Sequence, residues 1–274
     1  MVCAQDAVRA QAPQVHILGG TSDALALCRV MARRGVSYSL SVATATGEAL
    51  AAGVGGARQV GRMDAGEMAG WLSGARWVID ASHPYAELAS RNLAAACRAL
   101  ALPLTRYERQ SDIDAITHPR LFTVDSVAQA CRTAAALGQR ILLTTGSKQL
   151  ADYVALLPGK TLIARVLPTA AILAQCAALG LGVHQVIAMT GPFSRELNLA
   201  LYRQYRPEVM ITKESGREGG YAEKVLPCLA LNIPCVVIRR PLMRWDDVIT
   251  TPDAFEHRLD RWLNTAGAAN KEPL

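Results

Sequence analysis

The sequence predicts an α/β protein of two Rossmann-like lobes with mainly parallel sheets and a ligand crevice between them. Three observations carry this. The 274 residues are 51% hydrophobic but only 5% aromatic, so the core is built of Ala, Val, Leu and Ile, which suits helices packed on a parallel sheet. Short β-rich runs alternate with alanine- and leucine-rich helical stretches, the signature of right-handed β-α-β crossovers. The length is comfortable for two such units.

Along the chain, residues 1–13 form an expected flexible leader with no apolar signal segment. Strand-like runs follow at Val15–Leu18, Tyr38–Ala43, Trp77–Ile79, Leu121–Val124, Ile141–Leu143, Leu162–Val166, Val186–Met189, Val209–Ile211 and Cys235–Ile238. Helical stretches between them include Asp23–Arg34, Tyr85–Leu100 and Ser126–Leu137. The polar stretch Gln110–His118 breaks the alternation, so the boundary falls there: an N-terminal nucleotide-binding lobe over 14–117 and a C-terminal substrate lobe over 118–274.

No apolar run is long enough for a membrane span. Seven cysteines, an odd number without a CxxC pair, fit a reduced cytoplasmic protein, and no Cys, His and carboxylate cluster has metal-site spacing. The net charge of +6 is uneven, +1 up to Thr117 and +5 from His118 onward. No basic run carries interleaved aromatics, so a small polyanion suits the charge better than nucleic acid; an abundance of arginine, 24 against five lysines, accounts for it equally well.

In open parallel sheets ligands bind beyond the carboxyl ends of the strands, so the strand-end loops carry the chemistry. The first is Gly19-Gly20-Thr21-Ser22-Asp23, glycines leading into a helix N-terminus. It suits a phosphate, although it is not GxGxxG and Asp23 opposes an anion; a tight turn with an Asp cap is the other reading. After the second run, Ala43-Thr44-Ala45-Thr46-Gly47 has no ribose-clamping carboxylate before Glu48, and Arg58 and Arg62 follow, which favours NADPH over NADH; a generic surface loop is the other reading. Ser82-His83-Pro84-Tyr85 clusters at the next strand end, with Pro84 expected at the start of a long helix and Ser82 and His83 projecting into the crevice.

In the second half, Thr144-Thr145-Gly146-Ser147-Lys148 offers hydroxyls, a glycine, an expected helix N-terminus and a lysine, a cradle for carboxylate or phosphate, though without Walker spacing. Thr190-Gly191-Pro192-Phe193-Ser194 and Thr212-Lys213-Glu214-Ser215-Gly216 follow. Two of the five lysines, Lys148 and Lys213, thus lie in strand-end loops, and Arg165 ends another strand, where a salt bridge to a helix is the alternative.

Taken together, Ile17-Leu18-Gly19-Gly20-Thr21-Ser22, Asp80-Ala81-Ser82-His83-Pro84-Tyr85-Ala86, Thr144 to Lys148, Arg165-Val166-Leu167-Pro168, Gly191 to Ser194 and Thr212 to Gly216 resemble the precorrin-6A reductase family in order and spacing from about Val15 to Pro241. Asp23 departs from an expected Glu, and Glu214 from a common Asp. The resemblance implies a cobalamin-pathway enzyme that reduces one double bond of precorrin-6A with NADPH to give precorrin-6B. It also implies two Rossmann-like lobes with a strand exchanged between them.

On this basis Gly20, Thr21, Ser22, Thr44, Arg62, Ser82, His83, Pro84 and Tyr85 are expected to hold NADPH. Thr145, Gly146, Ser147, Lys148, Arg165, Gly191, Ser194, Lys213, Ser215 and Gly216 are expected to hold the carboxylates of a tetrapyrrole, with Lys213 or Lys148 as the catalytic ammonium and no metal. A monomer or small homo-oligomer without nucleic-acid or membrane partners is expected. The alternatives are a cobalt-precorrin-6A reductase using NADH, an S-adenosylmethionine-dependent tetrapyrrole methyltransferase, which would call for an acidic residue after the second strand, and a two-lobed solute-binding protein, which would call for an export signal.

Overall fold

The computed structural model describes residues 14–108, 111, 113–216 and 219–269, with residues 45–46 and 266–269 as backbone only. It holds two six-stranded parallel sheets, each in a unit of its own. The first unit comprises Met1–Arg109 and Met243–Leu274; the second is Gln110–Leu242.

In the first unit the chain runs β1 (Val15–Leu18), α1 (Ser22–Arg33), β2 (Tyr38–Val42), α2 (Ala45–Leu50), β3 (Ala57–Val60), α3 (Ala65–Trp71), β4 (Trp77–Asp80), α4 (Glu87–Ala99) and β5 (Leu104–Tyr107). The strand order is β12-β5-β4-β1-β2-β3. β1, β2 and β4 are buried along their whole length, which is why they read as unbroken apolar runs. β3 and β5 were invisible in the sequence for physical reasons. β3 is an edge strand with exposed Ala57 and Arg58, and β5 places Arg106 inside the unit against Asp80.

In the second unit the elements are β6 (Leu121–Val124), α5 (Val127–Leu137), β7 (Arg140–Leu143), α6 (Leu150–Leu156), β8 (Thr161–Val166), α7 (Ala170–Ala178), β9 (Val186–Ala188), α8 (Arg195–Tyr205), β10 (Val209–Lys213), α9 (Tyr221–Ala230) and β11 (Cys235–Ile238). Their order is β6-β11-β10-β7-β8-β9, the same plan as the first sheet.

The single boundary at 117/118 is corrected. β6, which follows β5, extends the second sheet. β12 (Val248–Ile249) and α10 (Pro252–Ala269), which follow β11, return to the first unit. Each sheet therefore takes its sixth strand from the chain that leaves the other. Asp247 fastens the returning segment: Arg258 grips it through Nη1–Oδ2 at 2.5 Å and Nη2–Oδ1 at 2.7 Å, and Thr105 Oγ1 donates to Oδ2 at 2.6 Å. Burial opposes the charge, but these bonds and the nearby Arg261 prevail and hold the carboxyl below its usual range. Phe255 and Leu259 of α10 are fully buried in the core around Trp77, Leu40 and Met31. The segment Gln110–His118, expected to be a polar linker, includes Ile113, which is buried in the second core.

Candidate active site

Each sheet reverses its strand order at one place, β1/β4 in the first and β7/β10 in the second. At such a switch point the two neighbouring loops leave in opposite directions and open a crevice. All the expected site loops lie at the carboxyl ends of these parallel strands.

In the first unit a Cβ at Gly19 would stand 2.5 Å from Leu40 Cδ1 and 2.8 Å from Ala24 Cβ, so a side chain there would force its neighbours to shift. Gly20 adopts φ +94° with nothing within 4 Å of its notional Cβ, so open space faces a bare backbone. Thr21 caps α1, its Oγ1 accepting from Ala24 N at 3.1 Å and donating to Ala81 O at 2.8 Å. One hydroxyl thus ties both sides of the switch point together. Ser22 and Asp23 open the helix, and Asp23 stands in its first turn. The bare glycine backbone and the helix N-terminus fit the pyrophosphate of a dinucleotide, with Asp23 an opposing charge.

Thr44 caps α2, accepting from Gly47 N at 3.1 Å. Arg62 is exposed just beyond β3. Arg58, by contrast, is engaged: Nη2 donates to Val54 O at 2.8 Å and bridges the preceding turn.

The third loop needs two corrections. Pro84 does not open the helix. Ala86 N donates to His83 O at 2.8 Å, closing a turn with Pro84 at its second position, where a fixed φ is favoured, and α4 begins at Glu87. Ser82 does not project outward. It is 6% exposed, its N–H donating to Asp80 Oδ1 at 3.0 Å and its Oγ lying 3.2 Å from Ser90 Oγ and 3.3 Å from Arg106 Nη1. Asp80 and Arg106 form a buried ion pair at 2.9 Å, with the Arg106 guanidinium over the Trp245 ring. Ser82 thus joins a rigid base for the loop, while His83 is exposed and its ring lies 5.6 Å from that of Tyr85.

In the second unit Thr144 N donates to Ile211 O at 2.9 Å across the switch point. Gly146 takes φ +76° with open space around it. The expectation that this loop opens directly into a helix N-terminus is corrected. α6 begins at Leu150 and has seven residues, with Gln149 before it, so Ser147 and Lys148 lie in a turn. Gln149 instead accepts from Lys213 Nζ through Oε1 at 2.8 Å, which brings the β7 and β10 loops together. Burial, with Lys148 adding like-charge repulsion, pushes Lys213 down to about 8. A lysine that titrates near working pH can give up a proton.

Three expected ligand groups turn out to be engaged within the unit. Arg165 is buried; its Nη1 donates to Asn198 Oδ1 at 2.6 Å, and its guanidinium lies 4.1 Å from the Phe193 ring centre. Its helix partner is therefore a neutral amide, where a salt bridge was the alternative. Ser194 caps α8, accepting from Leu197 N at 3.2 Å. Ser215 Oγ donates to Gly219 O at 3.0 Å and accepts from Lys224 Nζ at 2.8 Å. Gly216 takes φ +66°, and Gly191 precedes Pro192 in a cis peptide. Thr145 is half-buried beside Gly146. Glu214 braces the loop, accepting from Arg240 Nε at 2.7 Å and Ser111 Oγ at 2.6 Å.

Sequence reading missed Asn198, Tyr202, Lys224, Asp80 and Arg106. Their signal was a polar side chain inside an apolar stretch, which becomes meaningful only when its partner is known. Of the cysteines, Cys3 lies outside the described residues; the other six are buried and unpaired. Burial pushes Cys28 up to about 12 and Cys97 and Cys131 to about 11, so these three are poor nucleophiles. Among the described residues no cluster of three or more His, Cys, Asp or Glu could hold a metal, and no helix is long and apolar enough to cross a membrane.

Two open parallel sheets of one plan, each with its loops gathered at a switch point, define a double Rossmann-like protein. The chain belongs to the precorrin-6x reductase CbiJ/CobK family, whose profile matches residues 14–260. It is 51% identical to the cobalt-precorrin-6A reductase of Salmonella typhimurium over 256 residues, covering 92% of this chain and 97% of that protein. With the precorrin-6A reductase of Rhodobacter capsulatus it shares 28% over 257 residues, covering 92% and 96%. The fold matches a solved CobK precorrin-6A reductase with a TM-score of 0.73 at 23% identity, covering 90% of this chain and 96% of that one.

Proposed function

We propose that the protein reduces one double bond of the precorrin-6A macrocycle in cobalamin biosynthesis, with NADPH as reductant, giving precorrin-6B. The observation that carries this is the pairing, in a member of this reductase family, of an open glycine loop at one switch point with the Lys213–Lys148 ammonium pair at the other.

The first unit is the nucleotide side. Gly20, Thr21 and Ser22 would receive the pyrophosphate, and Thr44 and Arg62 the ribose end. His83, Pro84 and Tyr85 would border the nicotinamide, held in place by the buried Ser82. The second unit is the tetrapyrrole side. Thr145, Gly146, Ser147, Lys148, Gly191, Lys213 and Gly216 would meet its carboxylates, with Arg165, Ser194 and Ser215 shaping those loops.

When bound, the nicotinamide supplies the hydride. The carbon that does not take the hydride needs a proton, and Lys213 Nζ holds one that burial and Lys148 make easy to release. The reading includes a cytoplasmic location, a monomer or small homo-oligomer and neither nucleic acid nor membrane as partner.

The absence of an acidic residue in Ala43-Thr44 and the exposed Arg62 support the phosphorylated cofactor. Comparing kcat/KM for NADPH and NADH tests this; a preference for NADH sinks it. A second reading is favoured by the 51% identity to a cobalt-precorrin-6A reductase, namely that the macrocycle already carries cobalt. Parallel assays with metal-free and cobalt-bearing precorrin-6A decide between them by the larger kcat/KM.

A further inference from the structure

Beneath the second unit's loops lie two cations that the reaction as written does not use. Arg165 on β8 is 6% exposed and Lys224 on α9 is 8% exposed. Among the described residues neither forms an ion pair. Arg165 donates to the Asn198 amide and lies over Phe193, and Lys224 donates to the Ser215 hydroxyl. They lie within electrostatic range of each other, and the acidic residue felt by Lys224 is Glu223, which makes no ion pair with it. A buried cation without a counter-ion is costly, and an anion that reaches it recovers that cost.

The two are joined through one buried network. Tyr202 Oη lies 3.1 Å from Lys224 O and 3.3 Å from Asn198 Oδ1, positioned to donate to either. Asn198 Nδ2 donates to Ser194 O at 2.9 Å, and Ser215 Oγ donates to Gly219 O at 3.0 Å. Ser194 on one loop and Ser215 with Gly219 on the other are therefore tied to neighbouring members of this network.

We propose that Lys224 is a positioning residue which, with Arg165, forms a buried cationic floor under these two loops and so holds them ready for one anionic oxygen group of the ligand, a carboxylate of the tetrapyrrole. The inference rests on the assignment of the second unit to the tetrapyrrole. The competing source of the same chemistry is a phosphate of the cofactor. Burial, with Arg165 adding to it, pushes Lys224 down to about 8, which is where an uncompensated cation would stand and from which a bound anion would raise it.

The test is steady-state kinetics on Lys224→Met, Lys224→Arg and Ser215→Ala, with unfolding temperatures recorded alongside. For Lys224→Met the KM for the tetrapyrrole should rise about tenfold or more, with kcat and the KM for NADPH each within about twofold, and Lys224→Arg should recover most of the loss. Unchanged KM values for both tetrapyrrole and NADPH overturn the proposal, as does a fall in kcat with both KM values rising together, the mark of general loosening. If Lys224→Met does not fold, Ser215→Ala decides: a tetrapyrrole KM at least threefold higher supports the proposal, and a wild-type value overturns it. A rise confined to the KM for NADPH leaves the cationic floor standing but overturns the assignment of the second unit to the tetrapyrrole. Lys213→Ala tests that assignment separately, through the loop surface.

Discussion

Lys213 is placed by two forces that act in one direction. Burial and the neighbouring Lys148 both disfavour its charged form, so it titrates near 8 while an unfolded lysine titrates near 10.5. Folding must then carry the cost of the charge below about pH 8, and that cost fades as pH rises from 8 to 10.5. Its contribution to stability therefore increases with pH across that window. For activity the sign is opposite. With Lys213 as proton donor, kcat falls as pH climbs through about 8, and Lys213→Ala lowers kcat and removes that limb from the profile. A wild-type profile in the variant would eliminate Lys213 as donor.

Asp80 belongs at the same scale. Its 2.9 Å pair with Arg106 is almost wholly buried, so Asp80→Asn strands a cation and should cost about 3–5 kcal/mol, read by urea unfolding. In the sequence Asp80 stands just after a strand-like run and opens the Asp80–Ala86 motif, but it received no role of its own, because nothing local announces a partner 26 positions away.

Among the elements, the strand-end loops were legible because glycine, hydroxyl residues and proline have local meanings. Helix α1 shows this in that it follows the glycine and hydroxyl loop as expected, although its cap is Thr21 where the sequence offered Asp23. The less legible parts are those where two local meanings compete. Proline opens helices and also favours the second position of turns, and at Pro84 the turn prevails because the His83 carbonyl finds the Ala86 N–H. Thr21→Ala removes both the cap and the bridge to Ala81, and should cost about 1–2 kcal/mol in thermal or urea unfolding. Thr21→Ser keeps both bonds and should restore most of it. On the proposed assignment Thr21→Ala also raises the KM for NADPH more than that for the tetrapyrrole.

At the scale of the whole chain, the return of β12 and α10 makes the first unit depend on both ends of the sequence. A chain cut after Leu242 lacks β12 and α10, so the core around Trp77 loses Phe255 and Leu259 and Thr105 loses Asp247. Such a chain should express as insoluble or molten material, seen as lost near-ultraviolet dichroism. A soluble, cooperatively folding product would show that the returning segment is dispensable.

Local pattern was enough to determine that this protein alternates strands and helices, ends its strands on glycine and hydroxyl loops, and carries its surplus positive charge in its second half. Those properties depend on residues close together in the chain. Which unit receives residues 243–269, why Ser82 faces inward, and that Lys224 joins Arg165 beneath the second set of loops were decided by tertiary structure alone. Each depends on a partner far along the chain, Asp247 with Thr105, Ser82 with Arg106, Tyr202 with Lys224, and burial gives such contacts their strength only once the fold has brought both sides together.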